Sequence, residues 1–174
     1  RDGSLDNTFD SDGMLVANIG SSKDYIYSLA TQLDGKIIIA GSTSNGGGAK
    51  NDFLLMRYNY DGSVDTTFGI DGETVTDFNY SKDYGQDMLF QFDGKIIVAG
   101  YSANFEADDD FALARYDNNG ILDTTFGVNG KVTRDVSGFD DQLLSATLQA
   151  DGKIVVAGRA NSGTQLDFAL MRFN

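Results

Sequence analysis

Hydrophobic residues fall into short runs along this chain, and one kind of run occurs three times. Residues 37–40, 96–99 and 154–157 are continuously apolar and rich in β-branched side chains, and each run follows the triplet Asp-Gly-Lys. A half-exposed strand alternates between apolar and polar residues, whereas a continuous run is typical of a strand covered on both faces. The runs therefore predict three buried strands that lie in layers packed on one another.

The spacing of these runs divides the chain into three repeats. The aspartates that precede the runs are Asp34, Asp93 and Asp151, so the pattern returns at a nearly constant interval. Each run is followed by a second apolar segment that ends in Arg-Tyr or Arg-Phe, and each unit begins with a turn-rich linker of the type Asp-x-Thr-Phe. The sequence therefore predicts one structural domain built from three units, which span 1–59, 60–117 and 118–174.

The second unit shows the predicted strands most clearly. The pattern predicts four of them, at 73–78, 86–92, 95–99 and 111–116, and the pair Asp93-Gly94 predicts a two-residue type I′ hairpin. Helical periodicity is missing throughout. Four short antiparallel strands in each repeat predict an all-β fold, a β-propeller with three four-stranded blades. A β-solenoid is the alternative, although its rungs repeat at shorter periods.

The combined motif resembles the delta-60 repeat family. The shared pattern is Asp-Gly-Lys-Ile-Val-Val-Ala-Gly, then Asp-Phe-Ala-Leu-x-Arg-Tyr, then Asn-Gly-x-Leu-Asp-x-Thr-Phe-Gly, and all three units match it. The resemblance implies a propeller-type repeat of large bacterial surface and secreted proteins, and hence an extracellular or cell-surface location. It implies no activity and no catalytic residues.

Charge and composition narrow the set of partners. The 174 residues carry a net charge of −13, and no basic patch is visible, which excludes nucleic acid as a natural partner. No apolar run is long enough for insertion into a membrane. Histidine and cysteine are both absent, so the commonest general base and the thiolate nucleophile are missing. The composition favours a protein that is not an enzyme.

One arginine and one aspartate recur at the same place in every unit. A repeated arginine can form a ring that binds anions, but a scaffold also requires the same residue in every unit. Each guanidinium is expected to pair with a linker carboxylate, because a buried cation needs such a partner. The predicted structural residues are Arg57, Arg115, Arg172, Asp6, Asp65 and Asp123.

The loops at one end of the predicted blades differ between units. In an up-and-down meander, the Asp-Gly-Lys hairpins and the linkers lie at one end, and the remaining loops lie at the other. Varied loops on a rigid scaffold are where recognition usually occurs. We expect protein or carbohydrate to bind there through exposed aromatic and amide side chains. The predicted ligand-binding residues are Tyr80, Tyr84, Asn104, Phe105, Phe139 and Asn161.

The densest acidic cluster also lies at this variable end. Glu106, Asp108 and Asp109 offer the oxygen ligands that calcium prefers, although their spacing does not match a known calcium loop. Asp110 is assigned to the repeat, because it aligns with Asp52 and Asp167. No cofactor is predicted, with calcium at these residues as the alternative.

Three blades are too few to close a ring, since natural propellers have about four to eight. The chain is therefore predicted either to be part of a longer array or to associate with a second copy as a six-bladed ring. Its predicted function is that of a non-catalytic extracellular binding module. The alternative is a carbohydrate-active enzyme, a glycosidase or a lyase, on a propeller scaffold.

Overall fold

The computed structural model describes residues 2–19, 23–44, 50–79, 82–104 and 108–174. Within these ranges the regular structure consists of β-strands, and no helix is long and apolar enough to cross a membrane. The strands are β1 (Asp24–Thr31), β2 (Ile37–Thr43), β3 (Asp52–Tyr58), β4 (Glu73–Thr76), β5 (Asp83–Phe90), β6 (Ile96–Ala103), β7 (Asp109–Tyr116), β8 (Lys131–Arg134), β9 (Asp141–Leu148), β10 (Ile154–Asn161) and β11 (Leu166–Phe173).

These strands form three antiparallel sheets in which sequence neighbours are also spatial neighbours. Sheet 1 has the order β1-β2-β3-β4, sheet 2 the order β5-β6-β7-β8, and sheet 3 the order β9-β10-β11. The prediction of an all-β fold with three antiparallel sheets is therefore confirmed. Sheets 1 and 2 contain the expected four strands, and the described part of sheet 3 contains three.

The predicted order of strands within a blade is wrong in one respect. The sequence predicts that residues 73–78 begin the second blade, but β4 pairs with β3 of the preceding sheet, in a register that joins Phe53 to Thr76 and Met56 to Glu73. In the same way, β8 pairs with β7. Each of these two sheets thus takes its fourth strand from beyond the linker, because the linker turns the chain back along the outer edge of the sheet.

The Asp-Gly hairpins also differ from the prediction. Gly94 has a φ of +85°, but Asp93 is not among the residues with positive φ, whereas a type I′ turn needs positive φ at both central residues. The N–H of Gly94 donates to the carbonyl of Gln91, and the N–H of Gln91 donates to the carbonyl of Lys95. The turn is therefore of the longer kind in which glycine alone is left-handed, and the carboxylate of Asp93 accepts the N–H of Lys95.

The sheets pack face to face, with sheet 2 in the middle. Ile38 and Ala40 of β2 meet Ile96 and Val98 of β6 in a fully buried core between sheets 1 and 2. The core between sheets 2 and 3 is formed by the same positions one repeat later. They are Ile97 and Ala99 of β6, and Ile154 and Val156 of β10. The continuous apolar runs are thus explained, since alternate residues of one strand face opposite neighbouring sheets.

Strand direction separates the two ends of the sheets as predicted. The Asp-Gly-Lys hairpins and the linkers lie at one end, and the connections that follow β4, β6, β8 and β10 leave the sheets at the other. We call the second group the variable end.

Candidate functional site

The first strands of the three sheets come together at a single carboxylate. Asp87 of β5 accepts a hydrogen bond from the hydroxyl of Ser28 in β1 (3.1 Å) and another from the hydroxyl of Ser145 in β9 (3.0 Å). It also accepts the N–H of Ala146 at 2.8 Å. Side chains from all three sheets are therefore neighbours along this line of strands.

Four tyrosines lie at the variable end of sheets 1 and 2, on β1, β5 and β6. Tyr84 of β5 is directly opposite Tyr101 of β6, and the two rings stack with centroids 5.0 Å apart. Tyr25 and Tyr27 of β1 stack with centroids 6.2 Å apart, and both are partly exposed. Two aromatic pairs from neighbouring sheets are thus open to solvent on one side.

The pKa values of these phenols show that the pairs influence each other. Burial raises the pKa of Tyr101 to about 12, with further contributions from Asp109, Tyr84 and Tyr27. Burial also raises the pKa of Tyr84, and Tyr27 and Asp109 add to the shift. Because such effects fade with distance, Tyr27, Tyr84, Tyr101 and Asp109 belong to one cluster, and the raised pKa values keep the phenols of Tyr84 and Tyr101 protonated at neutral pH.

A chain of polar groups borders the tyrosines on the side of sheet 3. The amide nitrogen of Gln142 donates to the carboxylate of Asp109 at 2.6 Å, and the guanidinium of Arg159 donates to the amide oxygen of Gln142. Burial raises the pKa of Asp109 and outweighs the opposing hydrogen bond from Gln142. We name this group the tyrosine surface; it consists of Tyr25, Tyr27, Tyr84, Tyr101, Asp109, Gln142 and Arg159.

The backbone beneath the tyrosine surface is the same in each sheet, while the side chains differ. Tyr25, Tyr84 and Gln142 each follow the aspartate that begins the first strand, and Tyr101 and Arg159 share one position on the second strand. A β-bulge follows Tyr84 in β5, and a Cβ on Gly100 would lie 1.8 Å from the carbonyl oxygen of Tyr84. The glycine thus permits the bulge, which is a common way to direct a side chain.

Of the predicted ligand-binding residues, the tyrosine surface contains Tyr84. The side chain of Asn104 accepts a hydrogen bond from the N–H of Asp108. The side chain of Asn161 accepts the N–H of Gly163, and Phe139 packs against that glycine. Tyr80 and Phe105 lie outside the described residues. A role of these residues in binding stays a prediction.

The predicted ligand-binding residues do not include Tyr25, Tyr27, Tyr101, Gln142 or Arg159. The available signal was the residue after each strand-initiating aspartate, which is Tyr, Tyr and Gln in the three units. Tyr101 and Arg159 could be found only from the register that places them opposite Tyr84 and Gln142.

Two groups of three aspartates recur one repeat apart at the variable end. In each group, one carboxylate oxygen from each aspartate lies within 4.8 Å of the other two. This arrangement could hold a metal ion. Burial raises the pKa of Asp52 and of Asp110, and the neighbouring Asp77 and Asp135 add to the respective shifts. The groups are Asp52, Asp77, Asp83 and Asp110, Asp135, Asp141.

The predicted calcium ligands are not members of these groups. Among the described residues, Asp108 and Asp109 fall outside both, while Glu106 is not described. Asp83 and Asp141 also have a structural role, because each accepts a backbone N–H from the residue five positions earlier at 2.7 Å. Calcium therefore stays a prediction.

The repeated arginine lies against the repeated aspartate in two units. The guanidinium of Arg57 contacts the carboxylate of Asp65 at 2.6 Å and stacks over the ring of Phe68. Arg115 makes the same contacts with Asp123, at 2.9 Å, and with Phe126. Asp6 bonds its own turn through Thr8, and no ion pair of Asp6 or Arg172 is found among the described residues.

The Asp65 carboxylate makes the stability of the fold dependent on pH. Burial alone would raise the pKa of Asp65, but hydrogen bonds from Lys36, Thr67 and Arg57 outweigh burial and lower it well below its usual range. A group whose folded pKa is depressed stabilises the fold above its unfolded pKa of about 3.9, and this stability is lost as the pH falls through the folded value.

We therefore expect the difference in free energy of unfolding between the wild type and Asp65→Asn to shrink below about pH 4. Urea titrations of both proteins from pH 7 to pH 2.5 would measure it. The variant keeps an oxygen that can accept the Thr67 hydrogen bonds, but it loses both the charge and the acceptor for Arg57 and Lys36. A difference that stays constant or grows on acidification would contradict the assignment.

A comparison with family models gives one match. The model of a family described as a β-propeller domain of unknown function (DUF5122) matches residues 32–68, 91–126 and 149–174, which together make up more than half of the chain. No curated protein matches the chain.

Proposed function

The chain belongs to this β-propeller family of unknown function, and on that premise we propose that it is a non-catalytic binding module. The tyrosine surface is the part that binds. The observation that carries the proposal is the convergence of side chains from three sheets at the variable end, where two stacked tyrosine pairs adjoin the Asp109–Gln142–Arg159 chain. The name delta-60 repeat is compatible with the family.

The chemistry of this surface suits a ligand with flat apolar faces and hydroxyl or amide groups. Tyrosine and arginine are the residue types that contribute most to binding at interfaces, because they combine a large apolar area with polar tips. The carboxylate, amide and guanidinium offer both acceptors and donors beside the rings. Such a surface fits a glycan or an extended protein segment. An extracellular location is part of the proposal, and the resemblance of the repeats to those of bacterial surface proteins supports it.

The test is a glycan array and a displayed peptide library, each probed with the wild type and three variants. Tyr27→Ala is expected to weaken the binding of any ligand found by about tenfold or more. Tyr60→Ala is the matched control, since Tyr60 is an exposed tyrosine in a linker, at the opposite end of the sheets, and should leave affinity unchanged. Retention that survives Tyr27→Ala and Tyr84→Ala, or no retention in either library, would refute the proposal.

The enzyme alternative is favoured by one observation. Asp109 combines a raised pKa with a position beside Tyr101 and within reach of the Asp140 carboxylate, which accepts the N–H of Asp109 at 3.1 Å. A glycosidase needs two carboxyl groups with separated pKa values. Release of product from an array glycan, abolished by Asp109→Asn, would favour catalysis, whereas retention without turnover favours the binding module.

A further inference from the structure

The two junctions between sheets use the same residues, and a third set of these residues is exposed. Phe53 and Leu55 of β3 are fully buried between sheets 1 and 2, and Phe111 and Leu113 of β7 are fully buried between sheets 2 and 3. The corresponding residues of β11 are Phe168, which is 87% exposed, and Leu170, which is 67% exposed. Sheet 3 therefore presents the face with which sheets 1 and 2 each contact the next sheet.

Sheet 1 presents the opposite, complementary face. Ile37 and Ile39 of β2 occupy the positions of Ile96 and Val98, which are fully buried against sheet 1. In sheet 1 these two residues are half-buried and line an open groove, together with residues 15–17 of the N-terminal segment. The same face exposes Ile26 and Leu29 of β1. The molecule thus carries both halves of its own sheet-to-sheet junction, one on each outer sheet.

The segment 2–19 has the fold of a linker. The N–H of Phe9 donates to the carbonyl of Asp6 at 3.0 Å, as Phe68 donates to Asp65 at 3.1 Å, and the N–H of Gly13 donates to the carbonyl of Phe9, as Gly72 does to Phe68. Further on, the N–H of Ile19 donates to Asp24, as Phe78 does to Asp83. Both ends of the segment are thus held as they are around β4.

Between these two ends lies a strand position without a sheet. Residues 14–17 correspond to β4 and β8, yet they pair with no strand of the described chain, and Val16 is 94% exposed. Conversely, β11 pairs only with β10 among the described strands, whereas β3 and β7 each have a second neighbour. A free strand segment and a free strand edge of the same repeat type therefore occur in one molecule.

The charged residues on the two surfaces match each other in the same way as the backbone segments do. Arg57 and Arg115 pair with the linker aspartates that follow them, while Arg172 is exposed at the edge of sheet 3. Asp6 forms the turn bonds of a linker aspartate, through the N–H and hydroxyl of Thr8, and within the described chain it is exposed without an arginine. The cation and the anion of one missing pair are thus present on the two surfaces.

We propose that residues 14–17 of one copy add to the free edge of β11 in a second copy of this chain, as its fourth strand. The registers of β3 with β4 and of β7 with β8 fix the pairing. The guanidinium of Arg172 contacts the partner's Asp6 and stacks on the partner's Phe9. The paired residues are Phe168 with Ala17, Ala169 with Val16, Leu170 with Leu15, and Met171 with Met14.

The occupant is a second copy because both surfaces belong to the same sequence repeat and match in strand register, apolar face and charge. Strand addition to a free edge is an established mode of association, in which backbone hydrogen bonds are joined by side-chain contacts. The contact is head-to-tail, and two copies joined at both ends have six sheets, within the usual range of propellers.

Light scattering after size-exclusion chromatography tests the proposal with the 174-residue chain. The wild type is expected to elute as a dimer, and Phe168→Glu is expected to weaken association by about tenfold or more. Phe92→Glu is the matched control, because Phe92 is also highly exposed, at 77%, but lies in a hairpin away from both surfaces. Ala17→Pro should also weaken association, because in this register the N–H of Ala17 donates to the carbonyl of Phe168, and residues 14–17 pair with no strand of the described monomer.

A charge exchange tests the register. Asp6→Arg and Arg172→Asp should each prevent association, since every joint then brings like charges together. An equimolar mixture of the two variants should form dimers again, because each joint between unlike copies restores one opposite-charge pair. A wild type that is monomeric at the highest concentration reached would overturn the proposal. So would an assembly that Phe168→Glu leaves intact, or a mixture that stays monomeric while both variants remain folded by circular dichroism.

Discussion

Phe111→Ala is expected to lower the free energy of unfolding by about 3–5 kcal/mol. The side chain is fully buried in the core between sheets 2 and 3, where it packs with Leu113, Phe126 and Leu143. Truncation removes the transfer free energy of a phenyl ring and leaves a cavity that two rigid sheets cannot fill. Urea titration followed by circular dichroism would measure the loss.

The chain supplies its own control for this prediction. Phe168 occupies the same position of the repeat, with the same neighbours in sequence, but it is highly exposed. Phe168→Ala should therefore change the free energy of unfolding by no more than about 0.5 kcal/mol in a sample dilute enough to be monomeric. Equal losses for the two variants would mean that sheet 3 is covered in the monomer, and would contradict the described packing.

Asp65→Ala is expected to cost about 3–5 kcal/mol, because it leaves a buried guanidinium without a carboxylate. Arg57 is almost fully buried, and after the substitution the carbonyl of Asn118 and the hydroxyl of Thr67 remain as its acceptors. Lys36, which contacts the same carboxylate at 2.7 Å, loses its partner as well. The measurement is again the urea midpoint and slope at neutral pH.

The variant Asp6→Ala separates the contribution of the ion pair to stability from the contribution of the turn hydrogen bonds. Asp6 and Asp65 accept the same two hydrogen bonds from a threonine two residues later, but within the described chain only Asp65 pairs with cations. The loss for Asp6→Ala in dilute solution should therefore be much smaller than the loss for Asp65→Ala, because the substitution removes only hydrogen bonds of an exposed turn. A loss at Asp65 no larger than at Asp6 would show that the arginine is satisfied without the aspartate.

The architecture could be predicted because each unit repeats the same local rules. The apolar runs that follow Asp-Gly-Lys predict the central strands, and β2, β6 and β10 lie there. Whether the strand after each linker begins its own unit's sheet or completes the preceding sheet could not be predicted in this way. Residues 73–76 form a strand in either arrangement, and their partner is decided by where the linker returns the chain, which is a tertiary contact.

The candidate site was less accessible to prediction for a similar reason. Tyr84 can be selected from the sequence because it lies near a varied loop. Tyr101 lies two residues after an apolar run that predicts a buried strand, and its role depends on the bulge in β5 that places it opposite Tyr84. Asp109 can be selected for its charge, but its surroundings come from Gln142, which is 33 residues away in sequence.

The return of each linker to the preceding sheet also bears on how such arrays change in length. Sheets 1 and 2 are each completed by residues that belong to the following unit, so neighbouring units are interlocked rather than merely stacked. Inserting or deleting one whole repeat, starting at any point, leaves every remaining strand with a partner of the same type. Gene duplication can therefore lengthen the array without creating a new kind of interface, whereas unfolding one unit exposes an edge of its neighbour and couples their stabilities.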